Sequence, residues 1–127
     1  MTSPFLQIPH SYWVTSNELA FAIFDKYPVN EGHILVTPKR LVATWFEASR
    51  EEQQAIMELV EEAKQILDER YGPDGYNIGI NVGEAAGQTV MHLHVHLIPR
   101  FVGDMDDPRG GVRHVIPWKG NYLTDER

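Results

Sequence analysis

The sequence predicts one domain that mixes short strands with a single long helix, and three observations carry that reading. Two stretches alternate with a period of two: Tyr76-Asn77-Ile78-Gly79-Ile80-Asn81-Val82 and Val90-Met91-His92-Leu93-His94-Val95-His96-Leu97-Ile98. Such alternation marks strands, because successive side chains leave opposite faces of a pleated backbone. From Ser49 to Tyr71 the apolar residues Ile56, Leu59, Val60, Ala63, Ile66 and Leu67 instead recur every three or four positions, the spacing of an amphipathic helix. Finally, 127 residues with 43% hydrophobic content suffice for one core. Residues 1–127 are therefore expected to form a single domain, with 101–127 as a largely irregular C-terminal tail.

The elements follow in order. Pro4 and Pro9 flank Phe5, Leu6 and Ile8, and argue for an extended arm over Met1 to His10. Tyr12 to Thr15 reads as a short strand, Ser16-Asn17 as a turn and Leu19 to Phe24 as a second strand, making a hairpin. Asp25 closes that strand, and after the loop Lys26 to Gly32 His33 opens a third strand that Pro38 stops. If these strands pair antiparallel, Asp25 and His33 meet. Leu41 to Ala48 should hold a short helical turn. Ser49 and Glu52 have capping-box spacing at the start of the main helix, which ends at Tyr71-Gly72-Pro73. Glu58, Glu61, Glu62, Lys64 and Gln65 form its solvated face, and the helix is assigned no chemistry. Then come the strand at Tyr76 to Val82, the small-residue loop Gly83 to Thr89, and the histidine strand. Beyond Pro99 periodicity is lost.

Composition removes several function classes. With no cysteine there is no disulfide, no thiolate nucleophile and no cysteine-ligated metal. A net charge of -7 disfavours nucleic-acid backbones and acidic membranes as partners. No long apolar run or leader-like segment stands out, so a soluble, cytoplasmic protein is expected.

Three of the six histidines share one strand face, spaced roughly 6.5–7 Å apart along the chain. A purely structural role would require a buried partner for every ring. A metal site is open to neutral imidazoles, and His33, His10, Asp25 or His114 could complete it. Nucleophilic catalysis is the third reading: an unprotonated imidazole can attack phosphorus and later leave from the phosphoramidate. Arg109 and Arg113 in the tail are either ordinary surface residues or forks for phosphate.

The run Gly87-Gln88-Thr89-Val90-Met91-His92-Leu93-His94-Val95-His96-Leu97-Ile98 resembles the signature of the histidine triad family, His-φ-His-φ-His-φ-φ with φ apolar, preceded by Gly-Gln-Ser/Thr-Val. The resemblance extends through Asn81-Val82-Gly83, the His33 to Val36 strand with Pro38, and the Leu19 to Ala22 strand ending in Asp25, covering residues of about 5–100. Pro99-Arg100 and Gly103-Asp104 look more like the fragile histidine triad and bacterial dinucleoside polyphosphate hydrolase branch than the phosphoramidase branch. A third histidine, where the uridylyltransferase branch has glutamine, argues against that branch.

The resemblance implies an α+β fold with a five-stranded antiparallel sheet, one main helix and a short helix, usually as a homodimer. It implies a nucleotide hydrolase acting at the α-phosphate of a dinucleoside polyphosphate, such as diadenosine tri- or tetraphosphate. The alternatives in the same site are phosphoramidase and adenylyl-sulfate hydrolase; the alternative of another class is a metal- or nucleotide-binding module without turnover. His94 would be the nucleophile, forming a nucleotidyl-histidine. His96, Gln88 and Thr89 would hold phosphate oxygens, with Asn81 near phosphate or sugar. His92 and His33 would fix ring orientation and tautomer, Asp25 would bind ribose hydroxyls, and Ile8, Ile23 and Phe24 would wall the base. No cofactor or bound metal is implied, although Mg2+ could accompany a polyphosphate substrate. The tail from Asp107 to Lys119 departs from the better-known eukaryotic members, and from it Arg109 or Arg113 is expected to reach distal phosphates.

Overall fold

The computed structural model describes residues 3–124; residues 1–2 and 125–127, the outer ends of the predicted arm and tail, lie outside the described residues. Five strands, β1 (Thr15–Ser16), β2 (Ala20–Phe24), β3 (Ile34–Pro38), β4 (Gly75–Ile80) and β5 (Val95–Arg100), form one antiparallel sheet in the order β1-β2-β3-β5-β4, and helix α1 (Arg50–Tyr71) packs on it. The fold is α+β, as the resemblance implies. No helix among the described residues is long and apolar enough to cross a membrane.

Helix α1 starts where the sequence places it. Ser49 Oγ accepts the Glu52 N–H (3.1 Å) and the Glu52 carboxylate accepts the Ser49 N–H (2.9 Å), so two amides with no partner inside the helix are satisfied reciprocally. Gly72 ends it at φ 56°, a left-handed turn that costs glycine little. Ala55, Ile56, Leu59, Val60, Ala63 and Leu67 are buried against Ala20, Ala22, Ile34, Val36, Val95 and Leu97. Each large aliphatic among them contributes about 1.5–3 kcal/mol of burial.

The opposite sheet face is covered differently. Phe21, Ile23 and Leu35 pack under Phe5, Ile8 and Trp13 of the N-terminal arm. The registers Ile23↔Leu35, Leu35↔His96 and Gly79↔His96 place Ile23, Leu35, His96 and Gly79 in one row across this face. The histidines thus look away from the helix, toward the arm.

Several boundaries differ from expectation. The histidine strand begins at Val95 rather than Val90 and runs through Pro99 to Arg100. Continuing the β3–β5 register sets Pro38 opposite Leu93, and proline has no N–H to donate. The Leu93 carbonyl instead accepts the Thr37 hydroxyl (2.7 Å), and its N–H goes to Val42 (2.8 Å). Pro99 is tolerated because its carbonyl, accepting Asn30 Nδ2 (3.0 Å), faces the side on which β3 has already ended. The arm is not extended: Pro4–Gln7 and His10–Tyr12 are 3-10 turns. Pro4 sits at the first helical position, where a missing N–H costs nothing. The strand expected over Tyr12 to Thr15 shrinks to β1, the strand expected to reach Val82 stops at Ile80, and the short helical turn is Trp45–Glu47. The tail contains 3-10 turns at Gly111–Val115 and Pro117–Lys119.

Candidate active site

The antiparallel registers bring the singled-out residues together at the point where β2, β3 and β5 meet. Asp25 N–H donates to the His33 carbonyl (2.8 Å), which extends the β2–β3 ladder by one residue and sets Asp25 Oδ2 3.5 Å from His33 Nε2. His33 Nε2 also lies 3.0 Å from His96 Nδ1. One further step along the β4–β5 register puts Asn81 opposite His94. The His94 and His96 rings meet edge to face at 5.2 Å, and the Phe5 ring stands 5.0 Å from His94.

Hydrogen-bond partners assign the protons on these rings. Val29 N–H donates to His33 Nδ1 (3.1 Å), so the His33 proton is on Nε2 and is available to His96 Nδ1. That leaves the His96 proton on Nε2. His94 Nδ1 is 2.7 Å from the His92 carbonyl oxygen, which can only accept, so His94 carries its proton on Nδ1. Its Nε2 lone pair is then free, on a ring that is half-buried rather than sealed.

His92 is fully buried, and each of its ring nitrogens has a partner. Nε2 donates to the carbonyls of Pro38 (2.8 Å) and Arg40 (3.1 Å), and Nδ1 accepts from Ser3 Oγ (2.7 Å). Burial holds His92, His33 and His96 below the ordinary imidazole value, and His96 is pushed down to about 4 by desolvation, helped by His94 and His33 and opposed by Asp25. All three are neutral at neutral pH.

The remaining predicted residues fall into two groups. Ile8, Ile23 and Phe24 line one open, apolar cavity of about 610 Å³ together with Pro4, Tyr12 and Lys26, within the size range of small-molecule pockets. Thr89 is exposed and lines a smaller cavity with Ser3, Pro4, Met91 and His92. Gln88, by contrast, is buried with both ends of its amide engaged by backbone. It accepts the Gly83 N–H (2.9 Å) and donates to the carbonyls of Ala43 (2.7 Å) and Val90 (3.1 Å). Its work is to close the Gly83–Thr89 loop. Arg109 and Arg113 are engaged within the tail: Arg109 makes a two-pronged pair with Asp107 (3.0 and 2.9 Å), and Arg113 donates to the carbonyls of Gly120 and Lys119. Sequence reasoning passed over Ser3 and Phe5. Ser3 before Pro4 is a helix-start signal, but nothing in the sequence ties it to His92.

Asp25, His33 and His96 each offer one ligand atom, all within 4.8 Å of one another, a donor set that could hold a cation. Against this, the Val29 bond to Nδ1 keeps the proton of neutral His33 on the very nitrogen a metal would need. His10 stacks on Trp13 (4.0 Å) and His114 Nε2 donates to the Arg109 carbonyl (3.0 Å), so both are engaged elsewhere.

Known proteins agree with this architecture. The chain is 34% identical over 107 residues to an AP-4-A phosphorylase of Mycobacterium tuberculosis, covering 80% of this chain but 55% of that protein. It is 36% identical over 92 residues to a bis(5'-adenosyl)-triphosphatase of Dictyostelium discoideum, covering 72% and 62%. The chain thus spans less than two thirds of the length of either relative. The crystal structure of a HIT family member from Bacillus subtilis superposes with a TM-score of 0.74 at 30% identity, over 82% of this chain and 77% of that one. The HIT domain model matches residues 7–103, and with the triad, its flanking strands and the sheet order all in place the chain belongs to the HIT, or histidine triad, family.

Proposed function

We propose that this protein hydrolyses a dinucleoside polyphosphate at the α-phosphate through a nucleotidyl-histidine on His94. The observation that carries the proposal is the 2.7 Å contact from His94 Nδ1 to the His92 carbonyl, which in the neutral ring assigns the proton to Nδ1 and the lone pair to Nε2. In the first step Nε2 attacks phosphorus, an N–P bond forms, and the P–O bond to the departing polyphosphate breaks. Water then attacks the same phosphorus. The N–P bond breaks, its electron pair returns to Nε2, the proton of the attacking water passes to solvent, and a nucleoside monophosphate leaves.

The other groups are read as binding and orienting elements. His96 offers its Nε2–H to a phosphate oxygen, and the exposed Thr89 hydroxyl offers a second donor from the loop that Gln88 closes. Such preset donors stabilise charge that develops in the transition state. Asn81, opposite His94 in the continued register, would meet phosphate or sugar, and Asp25, beside His33, would take ribose hydroxyls. Ile8, Ile23 and Phe24 would hold the base. Names of the mycobacterial and Dictyostelium relatives support a dinucleoside polyphosphate substrate. No resident metal is proposed, Mg2+ entering only with a polyphosphate. A homodimer in the cytoplasm completes the proposal.

The test is a substrate panel of dinucleoside tri- and tetraphosphates, adenosine phosphoramidate and adenylyl sulfate, with rapid-quench trapping of nucleotidyl-protein. Preferred turnover of the dinucleotides, with label retained on wild type and none on His94→Asn, is expected. Label that survives His94→Asn overturns the assignment. The cation reading, favoured by the Asp25–His33–His96 donor set, predicts stoichiometric bound metal and activity lost to a chelator.

A further inference from the structure

We propose that Ser3 is a positioning residue for the nucleophile, acting through His92; the proposal rests on the hydrolase reading above. The carbonyl that fixes His94 belongs to His92, and His92 lies outside the strand ladder because β5 begins at Val95. Two anchors hold the peptide between His92 and Leu93. One is the bond from Leu93 N–H to the Val42 carbonyl (2.8 Å). The other is the His92 ring, whose Nε2 donates to Pro38 and Arg40 and whose Nδ1 meets Ser3 Oγ at 2.7 Å.

Of the ring's partners, Ser3 alone is a donor. Two carbonyls can only accept, so they require a proton on Nε2, and Ser3 must then supply its hydroxyl proton to Nδ1. Ser3 Oγ in turn accepts Phe5 N–H (3.2 Å). A directed chain results: Phe5 N–H to Ser3, Ser3 O–H to His92 Nδ1, His92 Nε2–H to the two carbonyls, and His94 Nδ1–H to the His92 oxygen. Ser3 and His92 are 2% and 0% exposed, so in the folded chain Nδ1 takes its hydrogen bond from the serine rather than from bulk water. The same turn lays Phe5 against both rings, at 5.8 Å from His92 and 5.0 Å from His94. An arm residue 89 positions away in sequence thereby completes the support of the nucleophile.

Three substitutions separate this role from simple capping of the first turn. Ser3→Ala removes both the cap and the donor. Ser3→Asp keeps an acceptor for Phe5 N–H but offers no proton to Nδ1. Ser3→Thr keeps both, with the cavity beside Ser3 to take its methyl group. Kinetics on a dinucleoside triphosphate are read beside two-dimensional NMR of the histidine ring nitrogens, which reports each tautomer directly. Ser3→Ala and Ser3→Asp should each lower kcat about tenfold, the effect of one lost buried hydrogen bond, with KM within about twofold. His94 should lose its uniform Nδ1–H form in both. Ser3→Thr should restore kcat and tautomer. The idea is overturned if Ser3→Ala lowers only thermal stability while kcat and the His94 tautomer stay as in wild type, or if Ser3→Asp behaves as wild type. Should wild type turn over no nucleotide at all, the hydrolase reading fails while the ring spectra still judge the chain from Ser3 to His94.

Discussion

His33 offers the sharpest perturbation, because its two ring nitrogens face different partners and can be replaced one at a time. Asparagine places its amide near the imidazole Nδ1 position and glutamine near Nε2. His33→Asn therefore keeps an acceptor for Val29 N–H but abandons His96, whereas His33→Gln keeps a donor toward His96 Nδ1 and leaves Val29 unpaired. Each lost bond leaves a partly buried group unsatisfied at about 1–3 kcal/mol, so the two variants should lose similar stability. Activity should separate them. In His33→Asn the His96 ring can exchange tautomers and surrender its Nε2–H, which should lower kcat about 10–100-fold, whereas His33→Gln should fall less than about tenfold. The pH profile carries a second signature. His33 is one of the groups that push His96 down to about 4, and Asp25 opposes them. Removing His33 lets Asp25 act without that opposition, so protonation of His96 should move the acid limb of kcat toward neutral pH in His33→Asn. Steady-state rates over a pH series, with chemical denaturation on the same samples, make the comparison. Equal kcat in the two variants with an unmoved acid limb would refute the tautomer assignment.

Three other perturbations follow from the same geometry. His33, His92 and His96 are neutral in the fold and have pKa values below that of the unfolded chain, so between about 6.5 and about 4 the unfolded state binds protons that the folded state does not. Stability should be full above that window and fall as pH drops through it, with His96 alone accounting for about 1–2 kcal/mol after solvent screening; urea midpoints at pH 7 and pH 5 check the sign. Gln88→Ala strands the Gly83 N–H and the carbonyls of Ala43 and Val90, and should cost about 2–4 kcal/mol in thermal unfolding with a smaller effect on KM than on stability. Arg109→Ala and Arg113→Ala break bonds made within the tail, so kcat/KM on a dinucleoside tetraphosphate should change less than about fivefold.

What could be read from the sequence was what local pattern dictates. The capping box at Ser49 and Glu52, the glycine stop at Gly72 and the meeting of Asp25 with His33 all follow from spacing of a few residues or from one assumed hairpin. What escaped depends on partners remote in the chain. The late start of β5 comes from Pro38 facing Leu93, a register effect. An amide such as Gln88 suits a phosphate as well as a carbonyl, and only Ala43, 45 positions away, decides between them. Pro4 was read as an obstacle to helical structure when it sits at the one helical position that favours it. Arg109 has its partner close by in the chain. Asp107, two residues before it, takes its guanidinium, a pairing that a local reading of charge spacing can reach.

The period of two explains why three imidazoles share a face, but it treats them alike, and their chemistry does not. The difference is made by where each ring's second nitrogen finds its partner. His92 turns inward to Pro38, Arg40 and Ser3 and becomes a support. His94 folds back on the peptide of His92 and is left with a free lone pair. His96 accepts a hydrogen bond from His33 across the β3–β5 boundary and keeps its own proton on Nε2. Because burial keeps His33, His92 and His96 neutral, what these supports offer an incoming phosphate is directed hydrogen bonding rather than net charge. On the proposed hydrolase reading this suits a chain of net charge -7, since its attraction for an anionic substrate would have to be local and oriented.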